Sequence, residues 1–276
     1  MARGGCGCLP FALGGLLLLA WFGQGVETPP LRIEQYDPRS PRRPMPQWGD
    51  EQYAIEEPGR QADSMGTAFA VDRDGAWLTA EHVTHGCTRV GLEDGRFARP
   101  VPRVIESREA DAALVPGALS SPESLPLSPR MPQPGTPGYH MGFPAGEPTL
   151  VVSELIGEAN ARRGRSEVAQ PVLAWAERGR LPEGDGTLSG ISGGPVFAED
   201  GHVVGLNSAS TDRRGRILTA APDAVTRLTA ASRDVDDRPV AYPFAGLADA
   251  ESRFAGWLDR GVIRRIFCDV DEGQGG

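Results

Sequence analysis

The sequence predicts an all-β fold, a barrel or a sandwich, and three observations carry that prediction. Short apolar runs recur along the chain: GTAFAVD, AWLTA, RVGLED, ADAALVP, GYHMGFP, TLVVSELIGEA, PVLAWAE, GPVFAED, GHVVGLNSAS and RILTAAP. Gly, Pro and Asp separate them at the spacing of strands joined by turns, not of long helices. Between two of the runs, in AEDGHVV, Asp200-Gly201 is a hairpin signal.

The elements follow from the N-terminus. Residues 1–25 hold one early arginine, Arg3, and an apolar run from Leu9 to Phe22. The run is short of the roughly 20 apolar residues of a membrane span and fits a signal-peptide core. We expect export, with cleavage after Gly25 or retention as a membrane anchor. Either way the body of the protein is secreted, periplasmic or held at the membrane from outside the cytoplasm. Cys6 and Cys8 precede the apolar run and would leave with it. Cys87 and Cys268 then form one disulfide, as an oxidising compartment allows, or stay two unpaired buried thiols; spacing does not choose. Residues 26–62 are rich in proline and charge and read as a linker or surface arm, with Trp48 and Tyr53 as anchors to the domain. The strand-rich domain covers 63–232, and PDAVTRLTAAS, opening on Pro222 and Asp223, reads as a short helix near its end. In the extension 233–276, Leu247, Ala250, Phe254, Leu258 and Val262 follow a helical period. That amphipathic helix is expected to pack on its own domain, in preference to a partner or a membrane. The closing DEGQGG reads as disordered.

Charge and motif content narrow the function. The net charge is -9, no long basic run occurs, and all the basic residues are arginine. A nucleic-acid partner, which needs clustered positive charge, is excluded. HExxH, paired cysteine clusters and calcium-loop carboxylates are absent from the sequence, so no metal or cofactor is expected.

The chemistry concentrates in GISGGP, where Ser192 is surrounded by Gly190, Gly193 and Gly194. A serine hydroxyl becomes a nucleophile with a base, a group that orients the base, and donors for an oxyanion. Four histidines are on offer: His82, His85, His140 and His202. His82 follows the apolar run AWLTA, where the end of a strand can hold an imidazole rigidly at a cleft. Asp111 heads the apolar ADAALVP, so its carboxylate is carried toward the interior and needs a partner. An imidazole suits it: the acid fixes the tautomer and leaves the second ring nitrogen to take the serine proton.

WLTAEHV around His82, ADAAL around Asp111 and GISGGP around Ser192, in that order, resemble the three signature blocks of the chymotrypsin-fold, trypsin-like serine peptidases. The short His82–Asp111 separation and the GHVVGLNSA run are more similar to the bacterial HtrA-type branch. The resemblance covers about Ser64 to Ala231. It implies two six-stranded antiparallel β-barrels with a cleft between them, His82 and Asp111 from the first and Ser192 from the second. It implies an oxyanion hole from the Gly190 and Ser192 amides, where a Cβ at Gly190 would obstruct the turn. It also implies that Ser208, in GLNSAS, hydrogen-bonds the Asp111 carboxylate. The activity expected is endopeptidase cleavage of a protein or peptide through an acyl-enzyme. The competing readings are an esterase on the same site and a catalytically silent binding module on the same fold.

Three departures from the family pattern qualify this picture. Ile191 stands where digestive members carry an Asp that pairs with a newly cut N-terminal ammonium, so we expect a chain that is folded competent or regulated through loops. Gly186 stands where Lys- and Arg-specific members carry a pocket aspartate, with Asp185 one place earlier. The pocket expected from Gly186, Thr187, Asn207, Ser208 and Ser210 is small and neutral and favours small or medium apolar side chains. Finally, HtrA-type proteins continue into a PDZ domain, and the stretch after Ala231 is too short for one.

Overall fold

The computed structural model describes residues 52–55, 63–163, 169–184, 186–211, 215–230 and 239–270. The expected signal or anchor, most of the arm including Trp48, Asp185 and the DEGQGG tail lie outside the described residues.

Two sheets hold almost all of the regular structure. In the first half of the chain run β1 (Gln52–Ile55), β2 (Ser64–Ala70), β3 (Trp77–Thr79), the one-turn helix α1 (Glu81–Thr84), β4 (Arg89–Asp94), β5 (Phe97–Pro100), β6 (Ile105–Glu106) and β7 (Ala113–Val115). In the second run β8 (Pro137–Gly142), β9 (Thr149–Arg163), β10 (Gln170–Leu181), β11 (Pro195–Phe197), β12 (Val203–Thr211), β13 (Arg216–Ala220), α2 (Pro222–Ala230), α3 (Leu247–Asp259) and β14 (Ile263–Asp269). The chain is therefore mostly β, and the short helix expected from Pro222 forms. The expected hairpin also forms between β11 and β12, where Gly201 takes φ +82° and the Ala198 amide donates to the His202 carbonyl.

The sheet order β9-β10-β13-β12-β11-β8, with β8 pairing back onto β9, closes a six-stranded barrel. Closure removes the exposed edges that an open sheet would leave. Its filling comes from inward-facing residues such as Val151, Leu173, Trp175, Val196 and Ile217, all fully buried or nearly so. The other sheet runs β5-β4-β14-β2-β3-β7-β6 and stays open. Its two end strands show why: β6 has two residues, and β5 is exposed along its whole length and ends at Pro100, shortly before Pro102. Prolines lack the N–H that a closing ladder needs. One of the two expected barrels is thus closed, and its counterpart is a half-barrel sheet.

Two features depart from the sequence pattern. The helical period read through Val262 stops earlier. α3 ends at Asp259, Gly261 turns the chain at φ +66°, and Ile263–Asp269 emerges as β14. β14 inserts between β2 and β4, pairing Ile266 with Gly66 on one side and with Leu92 on the other. The last strand of the described residues therefore completes the sheet begun by the first half of the chain. In the arm, β1 adds in parallel to β9, with Ile55 opposite Arg163, and Tyr53 is buried as the anchor the sequence suggested.

α3 packs on its own domain. Ala250 and Phe254 are buried in the core shared with Phe69, Leu78 and Ile266, and Trp257 stacks on Phe197 at 4.9 Å. The open choice at the cysteines falls to a bond: Cys87, just past α1, is joined to Cys268 of β14.

Candidate active site

The buried strand β3 sets His82. Trp77, Leu78 and Thr79 are all fully covered, and the chain leaves them at Ala80 for the single turn α1, whose Val83 and Thr84 are buried. His82 is consequently carried on a turn anchored by buried neighbours on both sides. On the neighbouring strand's approach, a tight turn in which the Ala112 amide donates to the Ala110 carbonyl places Asp111 just before β7. Asp111 is 3% exposed. Its Oδ1 accepts from the His82 amide at 2.9 Å, and its Oδ2 lies 2.8 Å from His82 Nδ1. With the carboxylate accepting from Nδ1–H, Nε2 is left as a proton acceptor. The imidazole side chain keeps 26% exposure, so this acceptor is not sealed off.

Two further donors reach the same Oδ2: the Ser208 hydroxyl at 2.5 Å and Arg163 Nη2 at 2.5 Å. Burial is the largest single influence on Asp111 and works to raise its pKa, but His82, Arg163 and Ser208 together outweigh it and hold the carboxyl well below the usual carboxylate range. Asp111 is therefore an anion at neutral pH. Its neighbour Glu81 is pushed up, by its own partial burial first and by the charge of Asp111 second.

The loop of Ser192 is docked against this assembly through backbone. The Ser192 carbonyl accepts from the Thr67 amide of β2 at 2.8 Å, and the Gly190 carbonyl accepts from the Thr67 hydroxyl at 2.8 Å. Gly193, at φ +85°, lies so close to the Thr67 carbonyl, Thr79 Oγ1 and the Ala80 amide that a Cβ there has no room. Ala80 is two residues from His82, so the loop abuts the backbone that carries the imidazole. Gly190 takes φ +103°, and a Cβ on it would collide with the Phe143 carbonyl. These two positions explain two of the three glycines of GISGGP: one permits the turn and the other permits contact between the sheets. Neither the Gly190 nor the Ser192 amide donates to a protein acceptor among the hydrogen bonds of the described residues. No hydrogen bond joins the Ser192 hydroxyl to His82 among the described residues either; the bonds of His82 there go to Asp111.

Ile191 is buried among Val151, Leu155, Leu188 and Val196. Where an aspartate would seek an ammonium, this chain seats an aliphatic side chain in the barrel core. The Phe143–Glu147 segment borders the loop on its other side. The Phe143 amide donates to Thr67 Oγ1 at 3.2 Å, and the Ala145 amide donates to the Ser189 carbonyl at 2.7 Å.

The remaining histidines separate cleanly. His85 is 63% exposed between Glu81 and Glu106, at 3.0 and 3.2 Å. Those three place their ligand atoms within 4.8 Å of one another, on a solvated face where the imidazole already engages both carboxylates. His202 sits in the β11–β12 hairpin beside Asp200. His140 is fully buried, with Nδ1 2.6 Å from Asn207 Oδ1 and Nε2 2.6 Å from Ser153 Oγ. Burial pushes its pKa down to about 4, against the opposing pull of Asn207.

Among the pocket candidates, Gly186 and Thr187 are exposed and Ser210 is half-buried. Asn207 has no exposed surface, and its side chain is committed to His140 and to the Gly194 carbonyl. Ser208 is committed to Asp111, in agreement with the resemblance. Sequence reasoning missed Arg163 and Thr67. Thr67 had a signal, a hydroxyl amid the small and apolar residues of MGTAFA; Arg163, within NARRGR, had none.

A family profile described as the trypsin-like peptidase domain matches residues 66–206. HhoB of Synechocystis sp., provisionally named a serine protease, is 31% identical over 160 residues, 55% of this chain. The chain spans 36% of the length of that relative. The Rv3671c protease of M. tuberculosis in its active form is similar with a TM-score of 0.50 and 20% identity, over 63% of this chain and 75% of that one. The HtrA-type protease AlgW, solved with a decapeptide, is similar at a TM-score of 0.47 and 19% identity, over 60% of this chain and 50% of that one.

Proposed function

The chain belongs to the trypsin-like peptidase family, and from that premise we propose that it is an exported serine endopeptidase of the HtrA type acting through His82, Asp111 and Ser192. The observation that carries the reading is the buried Asp111 carboxylate holding both the amide and the ring of His82, next to a serine loop with two unused amides. In this mechanism His82 Nε2 takes the Ser192 proton as Oγ attacks the substrate carbonyl carbon. The Gly190 and Ser192 amides receive the oxyanion. The tetrahedral adduct collapses as His82 returns the proton to the departing amine, leaving an acyl-enzyme that water opens by the same route in reverse. Asp111 stays ionised throughout and stabilises the imidazolium.

The half-barrel sheet stands, in this reading, in the place of the family's first barrel. Substrates are proteins or peptides, and Gly186, Thr187 and Ser210 border a pocket for small or medium apolar side chains. A peptide-library cleavage profile dominated by Arg and Lys would overturn that preference. The N-terminal apolar run supports export, and the Cys87–Cys268 bond supports an oxidising destination.

A fluorophosphonate tests the site. The native chain is expected to be labelled, Ser192→Ala not at all, and Asp111→Asn about 10⁴-fold more slowly. Native protein that resists the reagent would instead favour a silent binding module on this fold.

A further inference from the structure

Family members that use an N-terminal ammonium tie it to an aspartate beside the nucleophile; here that position is the buried Ile191, and some other contact must hold the Gly190–Ser192 turn in shape. The described residues offer one from the opposite end of the chain. Arg265 of β14 lies directly across from Thr67 of β2 in the sheet register. Its guanidinium reaches the Gly146 carbonyl twice, Nε at 3.1 Å and Nη2 at 2.6 Å, and stands over the Phe143 ring at 4.5 Å. Glu93 of β4 fixes the arginine in turn, accepting from Nη1 at 2.7 Å and from the Arg265 amide at 3.2 Å.

The segment so gripped touches the serine loop at both ends. The Phe143 carbonyl is the atom that forbids a Cβ at Gly190, and the Ala145 amide holds the Ser189 carbonyl. Ala145 sits at φ +50°, a conformation that L-residues with a side chain occupy only when their surroundings enforce it. Two neighbouring fasteners thus converge on Ser189–Ser192: Thr67 from below, through the Gly190 and Ser192 carbonyls, and Arg265 from the side, through Phe143–Gly146.

We propose that Arg265 is a positioning residue for the oxyanion hole, so that the C-terminal strand supplies the ordering contact that an N-terminal ammonium supplies elsewhere in the family. The inference rests on the serine-peptidase reading above. Fixing Gly146 and Phe143 fixes the Ser189–Gly190 peptide and hence the direction of the Gly190 amide. A misdirected donor loses its hold on the developing oxyanion while leaving ground-state binding and the nucleophile in place.

The test uses the full chain and p-nitrophenyl acetate, measuring the acylation rate constant and the apparent binding constant in the pre-steady-state burst. Arg265→Met is expected to acylate on the order of 10- to 100-fold more slowly at an unchanged binding constant. Arg265→Lys is expected to recover part of the rate, because an ammonium can still donate to Gly146. Glu93→Gln, which loosens the grip without removing it, is expected to lose a few-fold, on the order of one hydrogen bond's net worth. Wild-type acylation in Arg265→Met, a Lys variant no faster than Met, or, where Met does not fold, a Glu93→Gln chain at the wild-type rate would each overturn the proposal. A native chain that is not acylated, or that is acylated equally with Ser192→Ala, removes the peptidase reading and this proposal with it; a native chain acylated at Ser192 whose rate ignores position 265 removes the brace alone.

Discussion

His140 is a histidine that the fold requires to be neutral. Asn207 Nδ2 donates to the Gly194 carbonyl, so its Oδ1 faces the ring and Nδ1 carries the proton; Ser153 then donates to Nε2. Its pKa in the fold, about 4, is below the ordinary 6.5. The contribution to stability is therefore complete above pH 6.5 and is lost as the pH falls from there toward 4, levelling off below. The full loss is roughly 3 kcal/mol. Urea unfolding at pH 7.5 and pH 4.5 checks it, and His140→Gln is expected to show a smaller drop across the same window. Asp111 acts in a different window: its depressed pKa contributes stability above the ordinary carboxylate value and is lost only as the pH falls below about 4. Asn207 also accepts from the Gly193 amide through its own carbonyl at 2.7 Å, so a single residue, Asn207, separates His140 from the backbone beside Ser192.

At the scale of elements, the helix α3 holds the C-terminal extension to the body. Phe254 is 4% exposed within the main core, and Phe254→Ala is expected to cost about 3–5 kcal/mol, read from denaturant midpoints. What the sequence disclosed about such elements depended on whether the signal was local. GISGGP, the Asp200-Gly201 hairpin and the Pro222 helix are legible because Gly, Pro and Asp impose their conformations on their own neighbours. β14 was not legible: Val262 falls in step with Leu258 and Phe254, and Gly261 is the one residue that says the helix has ended. The three blocks around His82, Asp111 and Ser192 were legible in order, and the structure brings His82 and Asp111 into hydrogen-bond contact. Arg163 and Arg265 were not, since each reads as one more polar position in its strand and acts on a residue 52 or 119 positions away in the chain; Thr67 stood out only as a hydroxyl in MGTAFA, and its partner Gly190 lies 123 positions away. Asn207 reads as a wall residue, but the ring of His140, brought from β8, takes its side chain inward.

For the molecule as a whole, the decisive feature is that the sheet bearing His82 is built from both ends of the described chain. β14 lies between β2 and β4, and the Cys87–Cys268 bond ties it beside α1. Reducing that bond is expected to cost about 2–4 kcal/mol in unfolding free energy, measured with and without reductant at fixed pH. Removal of everything after Arg260 should do far more, splitting the sheet at its centre and abolishing fluorophosphonate labelling, while a cut after Asp269 should leave labelling intact. Pairings of such long sequence separation form late in folding, because the loop they close is costly until other contacts reward it. On the proposed peptidase reading, a growing polypeptide of this protein consequently has no assembled cleft at the stage when Ser192 has just joined His82 and Asp111, because β14 has still to be made. On that reading, cleavage chemistry is withheld from the biosynthetic machinery until Ile263–Asp269 has emerged and docked between β2 and β4, a timing set by the order of the strands.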